Sequence, residues 1–316
     1  MTLTNWLLTA LGGIAVVYLA ILGVALLRAR REQPSLAPAT PTRAGVATGF
    51  VTNFFDTLGI GSFATTTSIF RQWRLVPDEM IPGTLNVGHA IPAIVQAMIF
   101  IRIVPVDGRT LSLMIGSAVA GAWTGADIVA RWPRRRVQTG MGAALIAAAT
   151  LMILALLGLV PGGGSALALH DGRLILGVAG NFVLGALMTL GIGLYAPCMI
   201  LVSLLGLNPT SAFPIMMGSC AFLMPVASAR FIQAGRFHPR ISVGLLLGGI
   251  PAVLFAAFVV KSLPLTAVRY LVVVVVLYTA VNLLRAARRE RDGELVLAAG
   301  VDSVTIDIGN SREIPL

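Results

Sequence analysis

The chain has 316 residues, of which 57% are hydrophobic and only 11% charged, and its mean hydropathy is +0.89. Soluble domains carry about a quarter charged residues, so a water-facing globule is excluded, as are a disordered chain and a disulfide scaffold; what remains is a polytopic helical membrane protein. The formal net charge of +10 then reports loops that face anionic lipid on the cytoplasmic side. No nucleic-acid partner is expected, and the lipid bilayer is the first partner. Cys198 and Cys220 both lie in apolar runs, and His89, His170 and His238 are scattered. Neither a metal site nor a cofactor is expected from them.

In chain order, the first apolar segment runs from about Asn5 to Leu27. It has no basic residue before it and no small-residue cleavage site, so it reads as an anchor helix (1–32) and not as a signal peptide. Arg28, Arg30 and Arg31 place its C-terminal end inside. A proline-rich linker (33–43) follows. The segment 44–72 is long but broken by glycine, and spans of membrane-crossing length follow at 79–104, 109–130 and 137–160. After a connecting loop (161–173) comes a second glycine-broken segment, 174–206, then spans at 209–234, 241–261 and 265–285. The tail, 286–316, is polar, with a weak strand-like alternation over 295–308.

The two broken segments are either interrupted crossings or re-entrant hairpins, and the basic residues arbitrate. With both as hairpins, only Arg102, Arg109, Arg173, Lys261 and Arg269 of the 23 basic residues fall outside. With both as crossings, eight fall outside, including the cluster Arg131, Arg134, Arg135 and Arg136. Positive charge belongs inside, so hairpins are expected, with the tail cytoplasmic.

An internal repeat supports the same division. Thr57-Leu58-Gly59-Ile60-Gly61 recurs as Thr189-Leu190-Gly191-Ile192-Gly193, an offset of 132. At that offset Leu75, Pro77, Pro82 and Gly116 match Leu207, Pro209, Pro214 and Gly248. Each unit (44–160 and 174–285) then holds one hairpin and three full spans. An odd number of crossings inverts the second unit relative to the first, the architecture of many secondary transporters. The expected fold is therefore all-α: an inverted repeat of two such units behind an extra N-terminal anchor helix.

Glycines at 59, 61, 191 and 193 let the backbone break and turn. Such a break is tolerated in lipid only where it is buried or lines a cavity. New half-helices begin near Ser62 and Leu194, and their first amides carry the positive end of the helix dipole. Two such ends meeting at the midplane make an anion site. Ser62, Thr65 and Thr66 add hydroxyls on one side, Tyr195 and Cys198 on the other. The next spans bring Asn86 and His89 in one unit and Ser219 in the other. Gln96 and Gln233 read as packing or interfacial residues.

Asp56 is the sharpest single residue. An intramembrane carboxylate is costly and signals function. It can carry a proton, or with Asn53, Thr57 and the carbonyls of the broken helix it can hold a sodium ion. Its repeat counterpart is Met188, so any coupling site is asymmetric.

The glycine tips, the helix from Gly49 that leads into the first, the span with Pro77 and Pro82, and the paired late segments Arg109–Leu154 and Arg240–Leu284 together resemble the TauE/SafE family of sulfite exporters and related anion permeases. The resemblance covers about 45–285. It departs at the first tip, where Ser62 and Phe63 follow in place of further glycines, and at the second, where Leu194, Tyr195 and Pro197 follow. Asp56 is not carried over from it. The resemblance implies a permease in the bacterial cytoplasmic (inner) membrane that moves sulfite or an organosulfonate, with Gly59-Ile60-Gly61 and Gly191-Ile192-Gly193 at the substrate. The expected function is secondary transport of a small anion. A proton- or sodium-coupled transporter of another small organic solute is the alternative, and an intramembrane enzyme a remote one, since neither Gly-x-Ser-x-Gly nor His-Glu-x-x-His occurs. A homodimer is compatible with the sequence.

Overall fold

The computed structural model describes residues 2–32, 41–129, 134–157, 159, 164–188, 194–262, 264, 267, 270–271, 273–289 and 291. The expected strand-like stretch of the tail and the tip Gly191-Ile192-Gly193 lie outside these residues, as do most of the linker and Arg131.

The described chain is all helix apart from turns and one isolated bridge between Ala166 and Leu207. The helices are α1 (Leu3–Glu32), α2 (Arg43–Thr57), α3 (Ser62–Gln72), α4 (Ile81–Ile103), α5 (Gly108–Val129), α6 (Arg134–Leu156), α7 (Asp171–Met188), α8 (Tyr195–Leu204), α9 (Ala212–Gln233) and α10 (Pro239–Ser262), with α11 over 273–289. Short 3-10 turns at Asp78–Met80 and Pro209–Ser211 lead into α4 and α9. Among the described residues, five helical stretches are long and apolar enough to cross a bilayer: Leu3–Arg28, Ile81–Ile103, Asp171–Met188, Pro209–Gln233 and Pro239–Val259. Large apolar side chains such as Val16, Ile175, Val226, Phe255 and Phe258 are more than half exposed. Water would penalise that surface at about 25 cal/mol per Å²; lipid does not. The protein is an all-α membrane protein.

Helix pairing is governed by small residues. α2 lies against α10 and α7 against α5, while α4 packs on α9. Gly45 of α2 meets Gly244 of α10, Gly49 lies on the Leu245 backbone and Gly248 on the backbone of Val46 and Phe50, so a Gly-x-x-x-Gly spacing on each helix lines the contact. Without side chains between them the backbones approach closely, which is how membrane helices gain packing energy when lipid is as apolar as the core. In the other pair Gly185 sits on the Ala118 carbonyl, and Gly121 on that of Phe182. The core includes Phe100 stacked on Phe213 at 5.3 Å, between α4 and α9. Tyr18 of α1 is buried and donates to the Val87 carbonyl of α4 at 2.8 Å, which ties the first helix to this core.

The helix breaks have a local cause. α2 ends in a Schellman motif: Gly59 takes φ +96°, its N–H bonds to Asp56 O (2.8 Å), and Ile60 N–H bonds to Phe55 O (3.0 Å). α8 ends in the same motif at Gly206, with φ +87°. α3 ends in it at Arg74, with φ +51° and Leu75 N–H on Phe70 O. A side chain in the left-handed region costs about 1–2 kcal/mol. Arg74→Gly is therefore expected to stabilise the protein by about 1 kcal/mol, seen as a rise of a few degrees in the unfolding temperature in detergent.

Candidate functional site

The break between α2 and α3 carries the site. Gly61 precedes α3 with φ +84° and has no side chain to cap it. Asp56, on the last turn of α2, supplies the cap: its Oδ1 accepts from Ser62 N–H at 2.6 Å. The α3 N-terminus, expected from the sequence to be open, already holds an internal carboxylate. The cap comes from the helix before the break, the capping role that Asp56, placed just ahead of the tip, could also fill on sequence grounds.

The other carboxylate oxygen joins the two halves of the chain. Asp56 Oδ2 accepts from Gln96 Nε2 of α4 at 2.9 Å and from the Tyr195 hydroxyl, at the start of α8, at 3.2 Å. Gln96 Nε2 also donates to Thr57 Oγ1 (2.8 Å), and the Gln96 Oε1 lies 3.4 Å from the Tyr195 hydroxyl. Thr57 in turn donates to Asn53 O at 2.8 Å. Asp56 is 5% exposed and Gln96 and Thr57 are fully buried. Each buried polar atom in such a cluster needs its partner, because an unpaired one costs about 1–3 kcal/mol.

A second chain of bonds runs beside the first. Asn53 Nδ2 donates to Gly49 O at 2.7 Å, which leaves its Oδ1 facing His89 Nδ1 at 3.2 Å. That oxygen only accepts, so Nδ1 carries the hydrogen of the neutral ring and Nε2 accepts from Thr66 Oγ1 at 3.1 Å. Both ring nitrogens are engaged, and neither faces Ser62 or a cysteine thiol.

The structure thus brings together Asn53, Asp56, Thr57, Ser62, Thr66, His89 and Tyr195. Gly59 lies under the same cluster, pressed on the Met199 methyl of α8. Gly61 borders free space, for a Cβ there meets nothing within 4 Å. Ile60 packs on the main core. The other sequence candidates lie apart. Asn86 is partly exposed and donates to Pro82 O on its own helix. Ser219 donates to Ile215 O and Thr65 to Gly61 O and Ser62 O. Cys198 is buried as a free thiol. Gly191, Ile192 and Gly193 lie outside the described residues. Met188, which stands 132 residues after Asp56, has its sulfur 4.0 Å from the Cys220 thiol.

Gln96 is the residue that sequence reading passed over. Its signal was an amide in the middle of an otherwise apolar span, the stretch Ala90–Ile101. No family model matches the chain, and neither do any of the curated proteins or solved structures compared with it.

Proposed function

We propose that the protein is a secondary transporter, a permease for a small anion of the sulfite or organosulfonate class, with the substrate bound between two hairpin tips near the bilayer midplane. The observation that carries this reading is the contact of Asp56, at the first helix break, with Tyr195, at the start of the half-helix after the second. Asp56 and Tyr195, 139 residues apart in sequence, share one buried polar cluster. An α3 N-terminus that already holds one carboxylate has the chemistry to hold another oxyanion.

The inverted repeat belongs to this proposal, and three patterns support it. At the offset of 132, α2 corresponds to α7, α4 to α9 and α5 to α10. Exchanging the halves turns the α2–α10 pair into the α7–α5 pair and leaves the α4–α9 pair in place. The inner face Gly45, Gly49, Asn53 maps onto Gly177, Asn181, Gly185, and Arg74 onto Gly206, each at the helix-ending left-handed position. If α2 and α7 enter from opposite sides, their 15 and 18 residues give about 50 Å end to end. That covers a bilayer of about 40–45 Å with its headgroups and puts the tips near the middle. In this topology the tail is cytoplasmic and the membrane is a bacterial inner membrane. Transport is preferred to catalysis because His89, the one candidate base, is held by Thr66 and Asn53.

A thermal-shift screen of purified protein tests the substrate class. Sulfite, thiosulfate and sulfoacetate are expected to raise the unfolding temperature, since a ligand at about 100 times its Kd stabilises by about 2.7 kcal/mol. Sulfate and small carboxylates set the class boundary. A shift with none of these anions, together with no counterflow of labelled sulfoacetate in proteoliposomes, rejects the reading.

A further inference from the structure

We propose that the ion coupled to transport is a proton carried on Asp56, and that Tyr195 is the positioning residue that makes room for it. This rests on the transport reading above and names its coupling ion. The evidence is the sense of every hydrogen bond around the carboxylate.

Ser62 presents N–H to Oδ1 and its hydroxyl to the carboxylate; Gln96 presents its amide nitrogen, and Tyr195 its hydroxyl, to Oδ2. A hard cation such as sodium needs a shell of oxygen lone pairs. Here the groups turned on the carboxylate offer hydrogens. The neighbouring Thr57 Oγ1 spends its own hydrogen on Asn53 O and a lone pair on Gln96 Nε2. Donors so arranged hold a bare carboxylate and repel a metal cation.

A proton can enter on Oδ2, the oxygen that faces Gln96 and Tyr195. A hydrogen there needs an acceptor, and the Gln96 amide nitrogen, which donates to Thr57 as well, offers no lone pair in this arrangement. The Tyr195 oxygen does. It can accept from Asp56 if its own hydrogen swings to Gln96 Oε1, 3.4 Å away. The step balances: the carboxylate takes one proton from hydronium on the open aqueous side, its O–H donates to Tyr195, and Tyr195 keeps its single hydrogen, now given to Gln96. No other bond changes. Both states are hydrogen-bonded throughout, which is what a two-position switch requires. Because Tyr195 begins α8, proton occupancy on the first hairpin is sensed by the second.

The titratable groups around Asp56 are Tyr195 on α8, Cys220 on α9 beside the Tyr195 hydroxyl and next to Cys198, and His89 on α4, which is turned to Asn53 and Thr66. Among the described residues, no cationic side chain acts on the carboxyl.

Infrared difference spectra of the purified full chain, recorded as the pH falls from about 9 to about 4, test the carrier without any substrate. The expected result is a protonated-carboxyl C=O band that Asp56→Asn lacks. In Tyr195→Phe the band moves to higher frequency, as for an acid that has lost its hydrogen-bond acceptor. Sodium on the order of 0.1 M leaves the wild-type band unchanged. A band that survives in Asp56→Asn, or that sodium removes, overturns the proton assignment, and an unmoved band in Tyr195→Phe overturns the role of Tyr195. Pyranine-filled proteoliposomes test coupling. Sulfoacetate added outside should acidify the lumen with wild-type protein. Wild-type exchange with no proton movement rejects the coupling and spares the transport reading. No wild-type exchange at all rejects the transport reading and the coupling with it.

Discussion

Gly248→Leu is expected to abolish folding, with no monodisperse protein recovered on size exclusion after detergent extraction. A Cβ at this position would already overlap the Val46 carbonyl and stand 2.8 Å from Phe50 N. Both are backbone atoms of α2, so nothing at the contact can rotate away. A leucine there forces α2 off α10, and with it the Asp56 cap on α3. The cost exceeds the about 1–3 kcal/mol of ordinary overpacking and falls in the range above about 4 kcal/mol that marks a lost element contact. The repeat partner supplies the control. Gly116 aligns with Gly248 at the offset of 132, but a Cβ on Gly116 meets nothing within 4 Å and its helix surface is exposed there. Gly116→Leu should be recovered at near wild-type yield. Equal loss in both would mean that glycine is needed at this position of the repeat for its backbone freedom and not for the close approach.

The same pair shows how far the sequence reaches. Membrane class, the helix breaks at Gly59 and Gly61, and Asp56 as an unusual residue all follow from composition and local pattern, because each rests on one stretch of chain. Pairing does not. That α2 lies on α10 depends on residues about 200 apart, and the matching Gly-x-x-x-Gly spacings in Gly45/Gly49 and Gly244/Gly248 state compatibility, not partnership. Gln96 was hidden for a related reason. α4 is buried on nearly every face, so it has no polar stripe to show which side holds a working residue. His89 and Gln96 are seven residues apart, two turns on one face, and only the arrival of α2 turns that face into a site. A capping role for Asp56 was within reach of the sequence, but its partners were not: the side chain caps a helix start six residues downstream and also reaches Gln96 and Tyr195.

Gly61→Leu should insert and fold yet lose transport, with labelled sulfoacetate counterflow in proteoliposomes falling at least about tenfold. The fold survives because a side chain at residue 61 enters free space, unlike one at Gly59, which strikes Met199. Two effects then act on function. The left-handed φ of +84° costs a non-glycine residue about 1–2 kcal/mol, which biases the tip toward other conformations. The leucine side chain also occupies the space next to the α3 N-terminus, where the proposed substrate sits. Gly61→Ala separates the two, since alanine brings the same backbone strain and almost none of the volume. If space is what matters, Gly61→Ala retains most of the flux and Gly61→Leu retains none. If both lose flux equally, the tip works through its backbone geometry, and the substrate lies elsewhere along the Asp56 cluster. Wild-type flux in both variants would remove the first tip from the transport path.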